Sequence, residues 1–99
     1  MVLSKNPLDI NVKKKLDKEE LIQAIRLAII GELDAINLYL QIANACKNEI
    51  VKRVLEDIAR EEKTHVGELL TLLRRLDKEQ EVELKEGEEE VRDYLERSL

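Results

Sequence analysis

The sequence predicts an all-α protein: two long helices folded into an antiparallel hairpin, a short C-terminal helix, and a four-helix bundle completed when two chains dimerise. Three observations carry this. Charged residues make up 39% of the 99-residue chain and aromatics 2%, with three glycines and one proline, a composition of long helices rather than sheets. Apolar residues recur at Val51, Val54, Leu55, Ile58, Val66, Leu69, Leu72, Leu73 and Leu76, the spacing of one stripe along a helix. Helix-start residues stand at Asp17, Asn48 and Asp77, which divides the chain into three helical segments.

Residues 1–16 hold Pro7, isolated aliphatics and the run Lys13, Lys14, Lys15, and read as an extended leader outside the helical unit. Asp17 with Glu20 has the form of a capping box and opens a first helix that runs to about Cys46. Lys47 and Asn48 form the turn, with Asn48 as N-cap of a second helix ending near Leu76. Two long helices joined so tightly must lie antiparallel. Asp77 with Gln80 opens a third helix expected to stop before Gly87. The helical hairpin with its short third helix thus spans 17–85, and 86–99 form an acidic C-terminal helix or tail with Val91, Tyr94 and Leu95 as a narrow stripe. The run from Glu86 to Glu90 reads as a solvated face.

The net charge of -5 argues against nucleic acid or an anionic membrane as partner. No apolar run approaches the eighteen or so residues that span a bilayer, and the start lacks a signal-peptide core. Cys46 is the single cysteine, so no intrachain disulfide forms and a reducing, cytoplasmic setting is expected. It reads as a small apolar core residue.

Two residues break the stripe of the second helix. Stepping by sevens gives the row Val51, Ile58, His65, Leu72 and the row Leu55, Glu62, Leu69, Leu76, so Glu62 and His65 stand where leucine is expected. A carboxylate in a seam is costly unless paired, hydrogen-bonded or bound to a cation. The Glu-x-x-His spacing puts both side chains on one face about one turn apart, suited to a shared metal ion. On the first helix Glu32 lies among Ile25, Ala28, Ile29, Ala35, Ile36, Tyr39 and Ala43. Glu32, Glu62 and His65 are therefore the candidate metal ligands. Carboxylate and imidazole without thiolate favour iron or manganese over structural zinc.

The first helix is apolar beyond one stripe, with Leu27, Ile30, Leu33, Leu38 and Leu40 off the Glu32 face. One partner helix does not cover it, so chains are expected to associate. Di-metal carboxylate bundles take one Glu from each of two helices and Glu-x-x-His from each of the other two. This chain supplies half of that set. Two copies about a two-fold axis supply the rest and complete the bundle at once.

Glu32-x-x-Ala35-x-x-x-Tyr39, followed by Arg60-Glu61-Glu62-Lys63-x-His65, resembles the encapsulated ferritins, the ferritin-like cargo of encapsulin nanocompartments. The similarity covers about 19–83. The resemblance implies a ferritin-like hairpin with a short third helix, and dimers that form a di-iron ferroxidase centre between subunits. It also implies five dimers in an open decameric ring inside an encapsulin shell in the cytoplasm. The family's iron ligands fall on Glu32, Glu62 and His65, with Tyr39 close by, and these four are the expected catalytic residues. The implied reaction oxidises Fe(II) to Fe(III) for storage within the shell, with Glu62 bridging two irons and Glu61 or Glu68 orienting the His65 ring. Relatives carry extra acidic residues where this chain has Gly31 and Asp34, and end in a shell-docking peptide that is not evident after Tyr94. Two alternatives compete: a manganese or peroxide-reducing di-metal protein, and a purely structural helical dimer.

Overall fold

A computed structural model describes residues 15–98, and every element in it is a helix. α1 spans Lys18–Ala45, α2 Glu49–Leu76 and α3 Lys78–Arg97. The leader expected over 1–16 lies almost wholly outside the described residues.

Each start has a local cause. The Asp17 carboxylate accepts from the Glu20 amide at 2.8 Å, and Glu20 accepts in return from the Asp17 amide at 3.1 Å, a complete capping box. Asn48 accepts from the amides of Ile50 and Val51 at 3.0 and 3.1 Å, so the turn at Lys47 and Asn48 forms as expected. Cys46 sits at the C-cap of α1, half-buried, with Sγ 3.4 Å from the Asn48 carbonyl. The expected core position is thus a helix-end position.

At α3 two expectations change. Asp77 caps the helix by accepting from the Gln80 amide at 3.1 Å, but the Gln80 side chain does not return to the Asp77 amide. It accepts instead from Arg26 Nε of α1 at 3.2 Å, and Arg26 Nη2 reaches the Asp77 carboxylate at 2.6 Å. A competing guanidinium has opened half of the box. Nor does α3 stop before Gly87; it continues as one helix to Arg97. Gly87 does not adopt a positive φ, and its flanks of Glu, Leu, Lys and Arg are strong helix formers that outweigh a single glycine's cost of about 1 kcal/mol. The Glu86 to Glu90 run is exposed, and within it Glu88 pairs with Arg74 of α2 at 2.9 Å.

α1 and α2 pack along their length, while α3 meets chiefly the end of α2. The core is thin. Among the described residues Ile22, Ile36, Ala43, Ala59 and Leu73 are its buried apolar members, and of these Ala43 and Ala59 have no exposed surface, so two of the smallest side chains lie deepest. Leu33, Leu38, Ile42, Val51, Val54 and Leu72 remain exposed. Among the described residues no helix is long and apolar enough to cross a membrane.

Candidate metal centre

Glu32 of α1 and Glu62 and His65 of α2 come together across the hairpin. One donor atom from each lies within 4.8 Å of the others. His65 Nδ1 is 3.4 Å from Glu62 Oε2 and 3.7 Å from Glu32 Oε2. The helix period brings Glu62 and His65 onto one face, and the antiparallel packing sets Glu32 opposite them.

The three are not equally sheltered. The side chains of Glu62 and Glu32 are 18% and 26% exposed, while that of His65 is 47% exposed. The carboxylates point into the seam as expected, whereas the imidazole sits at its lip. The residues sharing its face, Val51, Val54 and Leu72, are exposed apolar side chains. The centre therefore opens onto an apolar surface that this chain leaves uncovered.

Two carboxylate oxygens and a ring nitrogen at these separations form a donor set suited to a first-row divalent ion. The carboxylates offset the charge of a di- or trivalent cation, and the neutral imidazole adds a nitrogen donor. The residues present fit iron, and three donors fall short of filling its coordination sphere.

Tyr39 lies two turns along α1 from Glu32 and is half-buried. Among the described residues no hydrogen bond joins its hydroxyl to Glu32, nor do Glu61 or Glu68 bond to the His65 ring. Tyr39 instead lines a groove of about 440 Å³ together with Gly31, Asp34 and Leu38. A Cβ built at Gly31 would meet nothing within 4 Å, so packing inside this chain does not require that glycine.

Sequence reasoning did not find the ionic ties of α3. Arg26 binds Asp77 and Gln80, and Arg74 faces Glu81 at 3.5 Å as well as Glu88. These partners follow from the angle of α3 to the hairpin, which periodicity does not encode.

A three-helix chain with a carboxylate on one long helix and Glu-x-x-His on the next is a ferritin-like protein in architecture. Known proteins agree. The rubrerythrin family profile matches residues 23–98. The chain is 56% identical over 92 residues to a ferritin-like-encapsulin shell fusion protein of Pyrococcus furiosus, 93% of this chain and 27% of that protein. It is 41% identical over 87 residues to the encapsulin nanocompartment cargo protein EncC of Myxococcus xanthus, 88% of this chain and 67% of that one. The crystal structure of the encapsulated ferritin domain from Pyrococcus furiosus matches with TM-score 0.82 and 57% identity, covering 92% of this chain and 93% of that domain. The chain belongs to the rubrerythrin family and, within it, to the encapsulated ferritins. It spans about a quarter of the Pyrococcus fusion protein it matches.

Proposed function

We propose that the protein is a ferroxidase whose centre is assembled from two chains. The observation that carries this is the convergence of Glu32, Glu62 and His65 at the edge of an uncovered apolar face. A second copy seated on that face would bury Val51, Val54 and Leu72 and bring a second set of three donors to the first. Burial of that surface would drive association at roughly 25 cal/mol per Å² of apolar area.

The substrate is Fe(II), two ions per pair of chains. Each gives up one electron; with O2 as oxidant, one O2 takes both electrons and two protons and leaves as hydrogen peroxide. Glu32 and Glu62 bind and offset the growing positive charge, which favours Fe(III) as product. His65 supplies a neutral donor through Nδ1, the ring atom facing both carboxylates. Tyr39 borders the site as a hydrogen-bonding group. Fe(III) then passes to storage.

The named relatives are an encapsulin fusion and encapsulin cargo proteins. That kinship supports a place inside an encapsulin shell; in this reading the dimers join into a decameric ring and the shell rather than the ring supplies storage volume.

The test is single-turnover oxidation. Anaerobic protein loaded with Fe(II) is mixed with O2 and followed by ferric absorbance. Glu62→Gln, nearly the same in size, should lose at least about 10²-fold in initial rate. A rate equal to the parent's would refute the assignment.

A further inference from the structure

We propose that the corner between α2 and α3 binds a small oxyanion of the phosphate class. Thr71, Arg74, Arg75, Lys78 and Glu81 line a cavity of about 570 Å³ there. Three cationic side chains thus meet at one place on a chain whose net charge is -5. The turn makes this meeting. Asp77 ends α2 and opens α3 with φ -120° and ψ 100°, so the helix breaks between Arg74 and Arg75 on one side and Lys78 on the other.

The charges in the corner do not cancel. Arg74 is taken up by Glu81 at 3.5 Å and by Glu88 at 2.9 Å, and Glu81 is held in turn by Lys85 at 3.1 Å. Arg75 and Lys78 are exposed, and among the described residues their side chains make no hydrogen bond or ion pair. Arg74, Arg75, Lys78 and Lys85 therefore stand against Glu81 and Glu88, a surplus of two positive charges that a dianion matches. The Thr71 hydroxyl donates to the Gly67 carbonyl at 2.9 Å, so the donors left for a ligand are the cations themselves.

Helix dipoles account for only part of this arrangement. Arg75 lies in the last turn of α2, where a cation is favourable. Lys78 is the first residue of α3, where a cation is the unfavourable sign. An anion between the two offsets both. Arg75 offers a planar fork that matches two phosphate oxygens, and Lys78 adds a compact charge with three donors. Size is limited by what lies beyond the corner. α3 carries nine carboxylates against four cationic side chains, a field that repels a long polyanion such as nucleic acid. None of this draws on the metal centre.

The test is titration of the metal-free full chain with inorganic phosphate, followed by amide chemical shifts, with chloride keeping the ionic strength constant. Saturable shifts are expected around Leu73 to Glu81. Arg75→Gln with Lys78→Gln should weaken Kd at least about tenfold, since two charge-assisted contacts are lost. Lys47→Gln with Arg53→Gln removes two exposed cations at the other end of α2 and should change Kd less than about twofold, because distant charges are screened. The proposal is overturned by an absence of saturable shifts or by equal weakening in the two double variants. A midpoint that moves with protein concentration would overturn it too, by showing that phosphate acts between copies rather than in this corner.

Discussion

His65 Nδ1 stands between two carboxylates, 3.4 Å from Glu62 on its own helix and 3.7 Å from Glu32 on the other. A single ring nitrogen hydrogen-bonds well with only one of them. A cation between the three would be shared by all of them. Replacing Glu32 with Leu should leave the metal-free fold as stable as the parent or more so, because a partly buried carboxylate is exchanged for an apolar side chain of similar volume. The same variant should lose stabilisation by Fe(II). At a free concentration near 100 times Kd the parent should gain about 2.7 kcal/mol, seen as a rise in Tm under anaerobic conditions that Glu32→Leu does not show.

Arg26 ties α1 to the first turn of α3. Its guanidinium replaces the side-chain half of the expected capping box, binding both Asp77 and Gln80. Arg26→Ala should cost about 1 kcal/mol. The loss should be local, with faster hydrogen exchange in the first turn of α3 and little change in α1 and α2.

Ala43 of α1 and Ala59 of α2 have no exposed surface. Ala59→Leu inserts three carbons where neither helix has room, and should destabilise the hairpin by about 1–3 kcal/mol in chemical denaturation. Changes of the same size at an exposed position such as Glu56 should be nearly silent.

Gly67 is exposed on α2, and a Cβ there would meet nothing within 4 Å. Helix propensity alone then predicts that Gly67→Ala stabilises the protein by about 1 kcal/mol. Its helix face lies away from Glu62 and His65, so Fe(II) affinity should be unchanged in the same preparation.

The hairpin was legible because two periodic stripes and two N-caps are local signals, and Asp17 and Asn48 cap as their residue types demand. The metal candidates were legible for a related reason: Glu32, Glu62 and His65 are polar residues at apolar positions, and helix period alone brings the latter two to one face. The exposure of His65 was not, since it depends on surface this chain leaves open rather than on its place in a row. Nor was the length of α3. Gly87 and the Asp77 box look like a stop and a start in one dimension, but no left-handed backbone forms at Gly87, and Arg26 comes from fifty-one residues away to claim the Asp77 carboxylate. Long-range ionic partners leave no periodic trace.

The measurement that bears most directly on the two-chain centre is an anaerobic Fe(II) titration of the purified protein beside His65→Ala, with the molar mass of each recorded. A di-iron centre shared between two chains predicts saturation near one iron per chain in a dimer or larger assembly, with binding lost in the variant. Saturation at two irons per chain, or equal binding by His65→Ala, would contradict it.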